Sequence, residues 1–173
     1  QLRTFNGGDP AIIDSEDEMN LEKALKIPAL MSEGEMVVLA TLAADRRRIV
    51  EIGSWQGASA RAIADNTQGV LYCVDTWQDD AYGSAPAETT RIPHWLHLAF
   101  LTHNYDHIRT GKVVPFRTTS IQGAMEMRGM KFDMIFIDAD HSYSGVHDDI
   151  LAWLPLLEED GVLCGHDCYP AGT

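Results

Sequence analysis

RIVEIGSWQGASARAIADN, residues 48–66, is the stretch on which the fold turns. Arg48 to Ile52 is an apolar run of β type, Gly53 and Gly57 let the backbone bend sharply, and Ala58 to Asn66 continues as a helix. A strand that passes through a glycine turn into a helix is the unit from which parallel sheets covered on both faces are built.

Working outward, the same alternation repeats. Val70 to Val74 (VLYCV), Phe132 to Ile137 (FDMIFI) and Gly161 to Gly165 (GVLCG) are further strands, each followed by Asp, Gly or His residues that start loops. Lys112 to Phe116 (KVVPF) is a fifth, and Pro115, which lacks an N–H, suits the edge of a sheet. Helices are predicted at Ser32 to Ala44, where Ser32 and Glu35 have the spacing of a capping box, and at Ala58–Asn66, Trp95–Ile108, Ile121–Met127 and Ser144–Leu157, with Pro155 bending or ending the last. The expectation is an α/β fold, a Rossmann-like, doubly wound, mostly parallel sheet with helices on both faces. It forms one domain over residues 1–173, with a helical extension over 1–26 and the last strands of the sheet missing. Residues 78–93 form a connection long enough to be either a lid over a site or a surface loop.

Composition narrows the partners. Thirteen Lys and Arg stand against 26 acidic residues, and a net charge of -13 repels phosphate backbones and anionic lipid, so neither nucleic acid nor a membrane surface is expected as a partner. No apolar run approaches the ~20 residues of a membrane span. Cys73, Cys164 and Cys168 have neither zinc-site nor disulfide-module spacing, which points to a reducing cytoplasm. A homo-oligomer is left open.

The second strand ends in Asp75, about 20 residues after the glycine turn, where a carboxylate can accept hydrogen bonds from both hydroxyls of a ribose. A nucleoside-containing cofactor is expected at the crevice beyond the strand ends. The spacing G-x-x-x-G differs from the G-x-G-x-x-G of dinucleotide folds, and acidic Glu51 sits where a pyrophosphate would be repelled. A sulfonium bearing an amino acid is the better electrostatic match.

These motifs resemble those of class I S-adenosylmethionine-dependent methyltransferases, in particular small-molecule O-methyltransferases with a V-E-I-G-S-x-x-G-x-S turn, and the likeness runs from Ile27-Pro28 through His166-Asp167. The resemblance implies that Glu51 and Gly53, with Ser54, Gly57 and Ser59 of the same turn, lie near the methionine part of the cofactor. It places Asp75 on the ribose hydroxyls, Thr76 and Trp77 beside the adenine, and Ser120 in contact with adenine. Trp55 departs from the pattern, since many members have a second glycine there.

Acidic residues also end the fourth strand (Asp138-Ala139-Asp140-His141) and the fifth (Gly165-His166-Asp167-Cys168). In the sheet that the resemblance implies these strands are neighbours, about 4.8 Å apart, so Asp138 and Asp167 can converge on one Mg2+. Catechol-type and caffeoyl-coenzyme A-type enzymes have an Asp after the fourth strand and Asp-Asn after the fifth. Here Cys168 takes the Asn place, so the third ligand is His166, a water, or none. In the catechol-type enzymes a lysine three residues after the first aspartate is the base; here that place holds His141, an imidazole suited to removing a hydroxyl proton near neutral pH, and the resemblance puts Asp138 at both catalytic and cofactor sites. The block Asp138 to Val146 (DADHSYSGV) resembles bacterial methyltransferases of sugar and antibiotic tailoring.

Blander readings apply elsewhere. Asp140 is expected to cap the next helix, His147, Asp148 and Asp149 to lie on a solvated face, and His94, His97, His103 and His107 to belong to a lid or surface helix rather than a metal stripe. The acidic run Asp14 to Glu18 reads as a helix start. Trp77, Tyr82 and Trp95 form either an aromatic wall or part of the core. The functional expectation is methyl transfer from S-adenosylmethionine to a hydroxyl of a small molecule such as a sugar, polyketide or phenolic. The rivals are a nicotinamide-dependent oxidoreductase and a non-catalytic cofactor-binding or oligomerising protein on the same fold.

Overall fold

The computed structural model describes residues 19–78 and 94–167. The acidic run Asp14 to Glu18, most of the 1–26 extension, the 79–93 part of the expected lid with Tyr82, and Cys168 lie outside the described residues. Of the extension, Ala24–Lys26 is a single 3-10 turn.

Five strands, β1 (Arg48–Ile52), β2 (Val70–Asp75), β3 (Val113–Arg117), β4 (Phe132–Ile137) and β5 (Leu157–Gly165), form one parallel sheet in the order β3-β2-β1-β4-β5. Pro115 is on an edge strand, as its missing N–H requires. Because side chains alternate along each strand, every central strand feeds two cores. On one face Ile49, Leu71, Cys73, Met134 and Phe136 pack under helices α1 (Glu33–Ala43), α2 (Ala58–Asn66) and α3 (Trp95–His103). On the other, Val50, Ile52, Val74, Ile135 and Ile137 pack with Ala124 and Trp153 from α5 (Ser120–Glu126) and α6 (Tyr143–Trp153). The doubly wound α/β expectation holds for the described residues.

The chain leaves β1 toward β2 and β3 on one side and returns to β4 and β5 on the other. A crevice therefore opens between the carboxyl ends of β1 and β4, where this architecture binds ligands.

Some boundaries differ for physical reasons. The single helix predicted over Trp95–Ile108 breaks at Asn104 into α3 and α4 (Tyr105–Arg109), because the buried Asn104 amide donates to Gly57 O (3.2 Å) and Phe100 O (3.3 Å). β5 begins at Leu157, four residues before the apolar GVLCG run, with an exposed Glu-Glu-Asp stretch along its open edge. α6 is capped by Ser142, whose hydroxyl accepts from Gly145 N (3.1 Å), while Asp140 accepts from Ser142 N (2.9 Å) in the turn before it. Pro155 falls in the 3-10 turn Leu154–Leu156 that ends this helix.

Candidate functional site

The turn after β1 is assembled around the Asp75 carboxylate. Its Oδ2 accepts from Ser54 N (2.9 Å) and Trp55 N (2.8 Å), and its Oδ1 accepts from Trp77 N (2.6 Å). A carboxylate offers about four lone-pair positions, so roughly one remains for a ligand hydroxyl. Asp75 thus holds the turn together as well as lining the pocket beside it.

Both glycines of the turn are needed. Gly53 has φ +90, and a Cβ there would fall on the Asp138 carbonyl, so β1 and β4 touch through backbone at this point. Gly57 has φ +88, and a Cβ would strike the Asn104 amide. Trp55, at the position of the family's extra glycine, keeps the left-handed backbone (φ 44), which costs a side-chain-bearing residue about 1–2 kcal/mol. Its carbonyl accepts from Trp77 Nε1 (2.9 Å), and that bond ties it to the next loop.

Trp77 is the main correction. It is fully buried, with its ring stacked on His97 (4.7 Å between centroids) and tilted against Phe100 (4.6 Å), and it is absent from the pocket wall. Its place is the core, whereas Trp95 lines the pocket. Glu51 and Gly57 likewise stand behind the wall. The Glu51 side chain points into the apolar core shared by Ile49 and Cys73. Its Oε2 accepts from Ser54 Oγ (2.5 Å), its Oε1 has no partner, and burial pushes its carboxyl up to about 7. Ser59, by contrast, does line the pocket.

The pocket has a volume of about 570 Å³. Gly53, Ser54, Ser59, Asp75, Thr76 and Ser120 bring the expected cofactor positions to one wall, and Asp138, His141, His166 and Asp167 form another. Ser120 hydrogen bonds to Asp149 and accepts from Trp153 Nε1 (2.9 Å). Asp149 is therefore buried, not solvated as expected, and burial raises its carboxyl. Ala29, Leu30 and Met31, between the 3-10 turn and α1, supply an apolar side.

At the ends of β4 and β5 two imidazoles sit among carboxylates. His141 Nδ1 lies 2.9 Å from Asp167 Oδ2 and its Nε2 lies 3.4 Å from Asp138 Oδ1. His166 Nδ1 lies 3.3 Å from Asp167 Oδ1 and 3.6 Å from Asp138 Oδ1, and its Nε2 lies 3.3 Å from Glu35 Oε1. One donor atom each from Asp138, His141 and Asp167 falls within a mutual 4.8 Å. Burial raises the Asp138 carboxyl, the neighbouring imidazoles pull it down, and burial prevails. Glu35 was read from the sequence only as a helix cap, and its spare carboxylate oxygen is the signal that pointed further.

Four of the other histidines have partners within the fold, and His147 lies exposed beside Asp148. His97 stacks on Trp77, His103 Nδ1 meets Gln56 O (2.8 Å), His107 Nε2 meets Asp65 (2.7 Å), and His94 Nδ1 meets Arg117 Nη2 (2.9 Å). They form no metal stripe; α3 buries Leu96 and Phe100 behind the turn and exposes Leu98 and Thr102, as a surface helix does.

Known proteins are similar to this chain in sequence or in fold. An uncharacterised protein of Sinorhizobium fredii, y4gI, is 29% identical over 126 residues, which are 70% of this chain and 13% of that protein. The O-methyltransferase of Bacillus cereus, solved in complex with SAH, superposes with a TM-score of 0.59 at 18% identity, covering 89% of this chain and 68% of that one. Cofactor-bound Rv0187 from MTB gives 0.61 at 20% identity, with 83% and 60% covered. The chain thus spans 13% of the length of the curated relative it matches and 60% to 68% of these two structures. Residues 50–168 match the family model described as a methyltransferase domain, and the chain, with its glycine turn and 3-2-1-4-5 sheet, belongs to that family.

Proposed function

We propose that the chain binds S-adenosylmethionine in the pocket at the ends of β1 and β4 and directs its methyl group to a hydroxyl of a small molecule, with His141 as the base. The observation that carries this reading is that the Asp75-held glycine turn and an imidazole set between two carboxylates share one pocket.

The residues fit the cofactor. A volume of about 570 Å³ lies in the range of about 300–1,000 Å³ typical of small-molecule sites. The described lining carries the carboxylates of Asp75, Asp138, Asp140 and Asp167 and no Lys or Arg, which suits a cationic sulfonium and disfavours the pyrophosphate of a nicotinamide cofactor. Asp75 keeps acceptor capacity for a ribose hydroxyl, and Ser59 and Asp138 also line the pocket. When bound, the cofactor supplies an electrophilic methyl group on positively charged sulfur.

The chain's own share is proton removal and orientation. Asp167, beside His141 Nδ1, holds the ring proton on that nitrogen and leaves Nε2 to take the proton of the acceptor hydroxyl. Asp138, beside Nε2, stabilises the imidazolium that results. The apolar Ala29–Met31 segment and Leu96 keep water from a step in which opposite charges are neutralised. The acceptor classes this suits are sugar, polyketide and phenolic hydroxyls.

Metal assistance is a second reading, favoured by the close donor atoms of Asp138, His141 and Asp167. Asp138, Asp167 and His166 would hold a divalent cation, with Mg2+ the ion first suggested by the carboxylates. The cation would polarise the acceptor oxygen. The free thiols Cys73 and Cys164 accord with a cytoplasmic setting, and none of the described helices is long and apolar enough to cross a membrane.

Calorimetric titration with S-adenosylhomocysteine tests the cofactor assignment. Micromolar binding that Asp75→Ala abolishes is expected. Folded protein that binds nothing would remove the methyl-transfer reading.

A further inference from the structure

The sheet order fixes which way a nucleoside lies in the pocket. Asp75 ends β2. Asp138 and His141 stand on one side of it, at the end of β4, and Thr118 and Ser120 stand on the other, beyond the end of β3. Thr118 N donates to Asp75 O (3.0 Å), so the β3 side is joined directly to the aspartate. In a nucleoside the sugar lies between the base and the 5′ substituent. With the ribose on Asp75 and the reacting sulfonium toward His141, the base is directed to Thr118 and Ser120.

The hydroxyl of Ser120, the first residue of α5, is already committed. It donates to Asp149 Oδ1 and accepts from Trp153 Nε1 (2.9 Å). Both partners belong to α6, they are 4% and 0% exposed, and neither lines the pocket, whereas Ser120 does. A hydroxyl has one proton and two lone pairs, and an indole N–H can only donate. The Ser120 proton is therefore held inward by Asp149, one lone pair is taken by Trp153, and a single acceptor position is left. An ionised carboxylate only accepts, so Asp149 fixes this direction and cannot reverse it.

We propose that Asp149 is a positioning residue that acts through Ser120. By holding the hydroxyl proton inward it makes the base end of the pocket an acceptor, which takes the exocyclic amine of adenine and rejects a base with a carbonyl at that place, such as hypoxanthine. This role rests on the reading that the pocket binds S-adenosylmethionine, and its test involves no turnover.

The full chain is titrated calorimetrically with S-adenosylhomocysteine and with its deaminated form, S-inosylhomocysteine. The wild type is expected to bind the adenosyl compound about 10- to 100-fold more tightly, the scale of one hydrogen bond replaced by an unsatisfied polar group. Asp149→Asn keeps nearly the same shape but offers an N–H as well as a carbonyl, so the Ser120 proton can turn to either side. The preference should then largely disappear, through a gain of inosyl affinity and not a loss of adenosyl affinity. A residue that only supported the fold would weaken both compounds together and leave their ratio in place. Asp149→Leu removes the inward acceptor outright and should move the ratio in the same direction, which covers an Asn variant that does not fold. Ser120→Ala should lose adenosyl affinity and keep inosyl affinity. Equal binding of the two compounds by the wild type, or a ratio unmoved in the folded Asp149 variants, would overturn the proposal and leave the cofactor reading standing. Folded wild type that binds neither compound would remove the cofactor reading, and the role of Asp149 with it.

Discussion

Replacing Gly53 by alanine tests the junction on which the site depends. The added Cβ would fall on the Asp138 carbonyl and lie 2.8 Å from Ala139 Cα, both backbone atoms of the segment leaving β4, which cannot swing aside as a side chain could. Placing an L side chain at φ +90 costs about 1–2 kcal/mol, and forcing volume into packed structure adds about 1–3 kcal/mol. The sum, about 2–5 kcal/mol, is a large part of the ~5–15 kcal/mol that stabilises a typical domain. Two internal comparisons separate these contributions. Gly111 has φ +76 and open space around it, so Gly111→Ala carries the conformational cost of about 1–2 kcal/mol alone. Gly34 lies in the first turn of α1 with nothing within 4 Å and no positive φ, and Gly34→Ala should gain up to about 1 kcal/mol. Urea unfolding of the three variants, with slopes checked for constancy, gives the order directly. If Gly53→Ala fell within about 1 kcal/mol of Gly111→Ala, the backbone contact between the ends of β1 and β4 would be refuted, and with it the close approach that shapes the pocket.

Asp75→Ala removes the acceptor of three turn amides, and at about 1.5–3 kcal/mol for a hydrogen bond to a charged group, shared non-additively, it should lower stability by about 3 kcal/mol while nucleoside binding disappears; calorimetry showing unchanged affinity would contradict the site. His141→Ala should slow methyl transfer about 10²- to 10⁴-fold with S-adenosylhomocysteine affinity retained, and a rate equal to wild type would remove its role as base. Glu51 has its pKa raised by burial from 4.5 to about 7, so the unfolded chain loses this proton at lower pH than the folded one. Its contribution to stability is fully present below about pH 4.5, is lost as pH rises through about 7, and amounts to about 3 kcal/mol. Glu51→Gln should flatten this slope, and urea midpoints between pH 5 and 8 that track the wild type would show that Glu51 is not buried as a carboxyl.

The sheet was legible because buried parallel strands are short apolar runs, and the exceptions carried information too. Pro115 marked an edge, and Glu51, the buried acid among the strand residues, marked the strand beneath the pocket. What escaped sequence reasoning depends on contacts between distant segments. The break between α3 and α4 comes from Asn104 reaching Gly57, 47 residues away, and a local helical pattern holds no trace of it. Asp149 looked solvated beside His147 and Asp148, yet it meets Ser120 from across the sheet face. Trp77 lies two residues after Asp75 and so resembled a ligand wall, but its backbone at φ 42 turns the ring inward onto Phe100. Position in sequence locates a residue near a site, whereas the backbone conformation decides which way its side chain faces.

The distribution of satisfied and unsatisfied groups explains why the pocket is formed before any ligand arrives. Behind the turn nearly every polar group is engaged. Asp75 holds three amides, His103 and Asn104 reach the carbonyls of Gln56 and Gly57, and Arg61 at the core of α2 bonds Asp65 and Asp106, joining α2 to α4. The buried atoms without partners include Glu51 Oε1, next to Ser54 and Ser59 of the wall, and His166 Nε2, behind the Asp138–Asp167 pair. A ligand entering this crevice meets a backbone already ordered by folding, so little of its binding energy is consumed in fixing the turn. The same rigidity puts the acid–imidazole end at a set distance from the Asp75 end, because Gly53 presses directly on the chain leaving β4. For the proposed transfer between two bound molecules, that fixed spacing would be the chain's contribution to orientation, which is worth several kcal/mol of barrier.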